Sequence, residues 1–467
     1  MMRYALFFLT FFACAAQAAL PEPVAQALKT AGIPQDAVAV YARRVDAKLP
    51  ALAEHSEQAM IPASVMKLVT TYAGLEMLGP AYVWRTEFRA AQTPVKGVLT
   101  GDLVLKGYGD PALTLEKFWM LVHTLRVSGV REIRGNLVLD RSYFEPMPAF
   151  NPGAFDGDTY RPYNAGPDAL LINFKATDFH FSVEDGAVNV TADPVAPKLE
   201  IVNRLKADRA ACGDWKNRMS YDVRQGEDKL TITFSGNYSE KCNEQVYHLS
   251  LQRYADYVFQ LFTTMWRGEG GVFEGKLREG VAPADAPVLA SVESPPLADV
   301  IRLINKYSNN LMARQLLITL GAEKGQGGSA AKGSVAARAW LAANGLDFPE
   351  LVLENGSGLS RNERISAKHL GDLLAAAYAS PFMSEYMSSL PIYAVDGTFK
   401  KRSQSNGAAG RAHLKSGTLD GVSAAAGYLL DARGRLWIVV FIANHPRAEA
   451  GKAAQDALLD WLYNYSE

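Results

Sequence analysis

The chain has 467 residues, with 48 Lys and Arg against 49 Asp and Glu and a formal net charge of −1. That length is too great for one ordinary core, so two or three domains are expected. No basic block and no interleaving of basic with aromatic residues occurs, which excludes an ordinary nucleic-acid binder.

Taken in order, the chain begins as a secretory signal. Arg3 is its positive end, Tyr4 to Ala13 its apolar core, and Ala16-Gln17-Ala18 an A-x-A cleavage site, so residues 1–18 are expected to be removed. An uncleaved anchor is the alternative. Cys14 is a poor lipidation site, because Phe11-Phe12-Ala13 precedes it. No later apolar stretch is long enough to span a bilayer, so membrane association is at most peripheral. The expected location is outside the cytoplasm, in the periplasm of a Gram-negative bacterium. Cys212 and Cys242 are the cysteines left after cleavage, and export predicts that they pair. Two buried free thiols are the alternative. No Cys/His cluster has metal-ligand spacing, and neither metal nor cofactor is expected.

Asp36 to Val45 reads as a strand. Pro62 can open a helix, and Val65, Leu68, Val69, Tyr72, Leu75 and Leu78 recur at helical spacing after it. Ser64 then falls in the first turn, with Lys67 one turn on and on the same face. From about Val83 the texture changes. Strands are predicted at 101–105 and 135–140, with a helix over 115–127 between them. Asn151 to Pro167 reads as a long ordered loop. Short strands follow at 171–174, 179–183, 188–191, 230–234 and 246–251, forming an all-β module. A helix is predicted over 253–267, with its aromatic residues in a core. Further helices are predicted over 297–320, 335–344 and 366–378. A hairpin joins strands 422–430 and 436–442 through Asp431-Ala432-Arg433-Gly434, and a closing helix covers 453–463.

Three short motifs stand out in this order. In Ser64-Val65-Met66-Lys67 a neutral lysine could take the serine proton and make the hydroxyl a nucleophile. A capping serine beside a solvated lysine is the plain alternative. The pattern recurs at Ser329-Ala330-Ala331-Lys332, so alone it means little. Ser308-Asn309-Asn310 follows an apolar helical run; Ser-x-Asn recurs at 235–237 and 360–362. Lys415-Ser416-Gly417-Thr418 precedes a strand-like stretch. Ser-x-x-Lys, Ser-x-Asn and Lys-[Ser/Thr]-Gly in that order are the signature of penicilloyl serine transferases. The gap between the first two motifs is more than twice that between the second and third. The excess reads as an insertion over about 83–288, with an inner β-rich module at about 169–251, splitting a catalytic domain into 19–82 and 289–467.

On these motifs the chain resembles the class C low-molecular-mass penicillin-binding proteins, the D-alanyl-D-alanine carboxypeptidase/endopeptidases. Gly101-Asp102-Leu103 with Asp110-Pro111, Gly135 to Asp140, Asn355-Gly356-Ser357-Gly358-Leu359-Ser360-Arg361, and Gly421-Val422 before Ala426-Gly427 carry the resemblance further. It implies an α/β transpeptidase/β-lactamase-like catalytic domain, an antiparallel sheet flanked by helices, with nested, β-rich inserted domains. It also implies peptidoglycan stem peptides and β-lactam antibiotics as partners. Ser416 replaces a commoner threonine, Asn309 a frequent aspartate, and Asn355 another, without loss of a needed group.

The implied chemistry is an acyl-enzyme on Ser64, with Lys67 as base, Asn310 holding the amine and Ser308 relaying a proton. Lys415, Ser416, Gly417 and Thr418 would take the terminal carboxylate, and the backbone N–H groups of Ser64 and Thr418 the oxyanion. His413 would share the Lys415 strand face as a structural or rim histidine. Asp158, in the long loop, matches by local alignment an acidic residue that reaches the stem peptide's side chain; a solvated aspartate is the alternative. A serine β-lactamase and a non-catalytic cell-wall-binding protein are the competing functions.

Overall fold

The computed structural model describes residues 20–146, 151–227 and 229–466. The expected signal, its cleavage site and Cys14 lie outside the described residues.

One five-stranded sheet runs in the order Ala412–Leu419, Val422–Leu430, Leu436–Asn444, Val38–Arg44, Leu52–Glu54, antiparallel throughout. Its inner strands read as unbroken apolar runs because both faces are covered. Ile438, Val440 and Ile442 pack into one core, while Trp437, Val439 and Phe441 pack into the other. Helices Lys67–Leu78, Leu297–Tyr307, Asn310–Lys324, Ala330–Ala343 and Ala367–Ala379 contribute to the first core. Helices Glu22–Ala31 and Lys452–Tyr463 cover the opposite face. The strand bearing Lys415 is an edge strand, so one side of its backbone is left for other partners.

A second five-stranded sheet has the order Leu277–Glu279, Leu137–Asp140, Leu103–Gly107, Arg85–Arg89, Val288–Glu293. Leu137–Asp140 is parallel to both of its neighbours, and helix Leu115–Val127 makes the crossover from Leu103–Gly107. Residue 288 opens its last strand, which pairs with Arg85–Arg89 and keeps residues up to Glu293 in this sheet. Two three-stranded sheets face each other over a shared aromatic core of Phe179, Phe181, Trp215, Phe234 and Tyr238. Their strands are Gln245–Leu249, Thr177–Glu184 and Ala187–Asp193 in one, and Leu199–Asp208, Leu230–Ser239 and Met219–Gln225 in the other.

Two sequence expectations are corrected here. No single helix covers 297–320: Ser308 takes a left-handed conformation at φ +56° and ends the first helix, and the side chain of Asn309 caps the second by accepting from the Met312 N–H at 3.0 Å. Residues 171–174 are not a strand: a tight turn, Asn173–Lys175, stands at their end with Phe174 at φ +52°.

Cys212 and Cys242 form a disulfide with their Cα atoms 4.7 Å apart, beside the aromatic core of the facing sheets. Such a loop contributes roughly 3–4 kcal/mol in the chain-entropy model. Thiol titration of the exported protein, denatured without reductant, is therefore expected to read zero. Reduction should lower its unfolding free energy by about that amount. Two titratable thiols would refute the pairing.

Candidate active site

Ser64 sits in a tight turn, Ala63–Met66, and Lys67 opens the α-helix that follows. Ala63 has φ +48°, a conformation that costs an alanine free energy and persists only where the surroundings impose it. Two glycines impose it. A Cβ on Gly358 would lie 1.9 Å from the Ala63 carbonyl oxygen and 2.6 Å from the Ser64 nitrogen. A Cβ on Gly417 would lie 2.5 Å from the Pro62 carbonyl oxygen. The glycine of Lys-Ser-Gly thus lets the sheet edge press directly on the turn that presents Ser64.

The Lys67 side chain is fully buried. Its Nζ lies 3.0 Å from Ser64 Oγ, 2.6 Å from Asn310 Oδ1 and 2.5 Å from the Ser357 carbonyl oxygen. Burial, and next the charge of Lys415, hold its pKa well below the usual lysine value; Glu363 opposes them. Lys415 is buried too. It donates to Ser308 Oγ at 2.8 Å and to the Ser416 carbonyl oxygen at 2.7 Å, and burial pulls its pKa down to about 7. Ser416 Oγ donates to Thr398 Oγ1 at 2.7 Å. Ser64, Ser308, Ser416 and Thr418 line one cavity. Five of the residues singled out from sequence therefore join in two linked clusters, Ser64–Lys67–Asn310 and Ser308–Lys415.

The sequence reading missed Glu363. Its Oε1 accepts from the backbone N–H groups of Glu354, Asn355 and Gly356 at 3.1, 2.9 and 3.0 Å, fixing the loop whose Ser357 carbonyl meets Lys67. The available signal was the Asn355–Arg361 stretch just before it. Asn355 itself braces that loop. It accepts from Ser357 Oγ at 2.7 Å and donates from Nδ2 to the Leu359 carbonyl at 3.0 Å, and an aspartate could not make the second bond.

Three other residues have these surroundings. Asp158 Oδ2 accepts from Arg161 Nε at 2.7 Å, and it is Arg161 and Tyr163 that line the cavity beside Ser308 and Asn310. Asp156 accepts from Tyr163 Oη at 2.8 Å and Asn164 Nδ2 at 2.7 Å, which makes it a brace within the loop. His413 lies on the Lys415 strand; burial, then Lys306, hold its pKa below the ordinary histidine value. In the second Ser-x-x-Lys copy, Lys332 pairs with Glu145 on the surface.

An antiparallel sheet flanked by helices, with a serine hydroxyl beside a buried lysine amine and a second Ser–Lys pair on the sheet edge, defines a serine acyl-transfer peptidase of the penicilloyl transferase kind. The model described as the D-Ala-D-Ala carboxypeptidase 3 (S13) family matches residues 20–465, and the chain belongs to that family of serine peptidases. A D-alanyl-D-alanine carboxypeptidase of an Actinomadura species is 30% identical over 419 residues, 87% of this chain and 77% of that protein. The crystal structure of penicillin binding protein 4 from Haemophilus influenzae has a TM-score of 0.78 at 23% identity, covering 95% of this chain and 99% of that one. Its complex with a β-lactam gives 0.75 over the same shares. A predatory endopeptidase from Bdellovibrio bacteriovorus, acylated by penicillin G and bound to an immunity protein, gives 0.56 at 14% identity, over 91% and 93%. The resemblance read from the motifs and the α/β fold it implied are both upheld.

Proposed function

We propose that this D-Ala-D-Ala carboxypeptidase acts on peptidoglycan stem peptides through Ser64, and that β-lactams acylate the same oxygen. The contacts around the Lys67 amine carry this reading. A neutral amine has two N–H bonds and one lone pair. Asn310 Oδ1 and the Ser357 carbonyl can only accept, so they take the two N–H bonds and the lone pair faces Ser64 Oγ. An unperturbed lysine, with pKa ~10.4, would be neutral about once in 10³ at pH 7, so a lysine base needs its pKa lowered. Burial and Lys415 push in that direction.

Ser64 gives its proton to Lys67 as its oxygen attacks the carbonyl of the penultimate D-alanine. The N–H groups of Ser64 and Thr418 hold the oxyanion. The C–N bond then breaks, and the leaving amine receives the proton from Lys67 by way of Ser308. Water hydrolyses the resulting ester. Lys415, Ser416 and Thr418 hold the terminal carboxylate, which restores the charge that burial takes from Lys415. The chain divides accordingly into a signal (1–18), an insertion from about 83 to the end of its last strand at Glu293, and a catalytic domain made of the segments on either side of it, and works in the periplasm of a Gram-negative bacterium. We read Asp158 as contributing to recognition of the third residue of the stem peptide, itself oriented by Arg161.

The test is digestion of purified muropeptides, read by product mass. Loss of one alanine is expected from monomers. For Asp158→Ala, cleavage of diaminopimelate peptides should fall about 10–100-fold while penicillin acylation stays nearly unchanged. Equal losses in both would mean misfolding, and no loss in either would make Asp158 a loop brace like Asp156.

A further inference from the structure

We propose that the leaving-group side of the cleft is built for a carboxylate-bearing peptide, with Lys401 and Lys452 as its specificity determinants. The inference rests on the reading in which Lys415 holds the carboxylate next to the scissile bond.

The cavity that contains Ser64, Ser308, Ser416 and Thr418 measures about 470 Å³, and Lys401, Arg402 and Lys452 also line it. A single leaving D-alanine carries one carboxylate, and Lys415 already serves it. Three further cations, with no carboxylate among the lining residues, are surplus to that task. Their commitments differ. Arg402 is held by Asp456 Oδ1 at 2.7 Å, the Lys452 carbonyl at 3.0 Å and Gln455 Oε1 at 2.7 Å, and its guanidinium lies 5.4 Å from the Phe399 ring centroid. It is a brace for the wall. Lys452 meets Glu449 at 3.0 Å, but the Glu449 side chain is 81% exposed, and a solvated pair of this kind binds little. Lys401 is exposed and has no ion-pair partner among the described residues. Two lysines are thus free to meet a ligand that enters past Thr398 and Ser416.

A ligand of matching chemistry is the second stem peptide of a cross-link. In that reaction the Ser64 oxygen forms the ester with the donor D-alanine and the amide C–N bond breaks. The leaving amine, now protonated, belongs to a whole peptide bearing several free carboxylates. Cations at the exit attract such a peptide and orient it before the bond breaks.

The full exported enzyme and its Lys401→Gln/Lys452→Gln variant would be compared on four reactants. These are a monomeric muropeptide ending in D-Ala-D-Ala, a cross-linked dimer, the same dimer with every leaving-strand carboxylate amidated except the one beside the scissile bond, and a fluorescent penicillin. The expected result is a drop of about tenfold in kcat/KM on the dimer alone. Monomer cleavage and labelling should stay within about twofold, and both enzymes should cleave the amidated dimer equally. Lys401→Arg/Lys452→Arg should restore dimer cleavage. An unchanged dimer rate, or a parallel loss on the monomer, overturns the proposal. A wild-type enzyme that trims monomers and leaves dimers intact overturns it too, with the role of Ser64 untouched. Failure on monomer and penicillin alike would instead remove the reading of Ser64 on which it rests.

Discussion

Ser64→Ala is expected to abolish covalent labelling by a fluorescent penicillin and to lower D-alanine release by roughly 10⁴–10⁶-fold, in a protein that keeps its fold. The substitution removes one oxygen from a half-buried position and adds nothing. The turn is set by the close approach of Gly358 and Gly417 to the backbone of Pro62, Ala63 and Ser64, and none of those contacts uses the hydroxyl. Ser329→Ala is the control. Lys332 is tied to Glu145 on the surface, and labelling should be unchanged. Undiminished labelling of Ser64→Ala would overturn the assignment, and a label found on Ser329 would mean that the second copy is the reactive one.

The parts of the fold that sequence revealed are those governed by local pattern. Helix 115–127 was legible because Phe118, Leu121, Val122 and Leu125 face one core at helical spacing. The three motifs were legible because their chemistry needs particular residue types in a particular order. What escaped depends on distant partners. Apolar periodicity runs straight through 297–320, and only the backbone of Ser308 breaks it; that break is what turns the motif toward Lys415. Residues 171–174 look like a strand because Leu171, Ile172 and Phe174 are apolar, yet Leu171 and Ile172 plug two different cores. Strands Leu199–Asp208 and Met219–Gln225 were missed because they are half exposed and carry charges along their length. Glu363 escaped because its partners are backbone N–H groups, and only its place just after the Asn355–Arg361 stretch hinted at it. The long loop around Asp158 was recognised from composition, but the partner of that carboxylate, Arg161, was not.

Lys67 gives the other large effect, and its protonation sets the pH dependence. Lys67→Ala removes the proton acceptor and should slow penicillin acylation by roughly 10²–10⁴-fold, the usual range for a positioned general base. Lys67→Arg tests the mechanism more sharply. It keeps a cation at the site but cannot give up its proton at any working pH. If neutral Lys67 is the base, both variants lose activity to a similar extent. An arginine variant that acylates at close to the wild-type rate, with an unchanged melting temperature, would show that only the charge matters. The direction of the pH effect follows from the depressed pKa. In the wild type, acylation should rise as pH increases and Lys67 loses its proton, at a pH well below the ordinary lysine value. Burial pulls Lys415 down to about 7, and because its charge acts on Lys67 the observed steps belong to the pair. Carboxylate-bearing substrates bind best while Lys415 is charged, so their kcat/KM should pass through a maximum and fall again on the alkaline side. In Lys67→Ala the acidic limb should vanish, leaving a low residual rate that no longer titrates over that range. An acidic limb that persists unchanged in that variant would assign it to another group and remove Lys67 from the proton transfer.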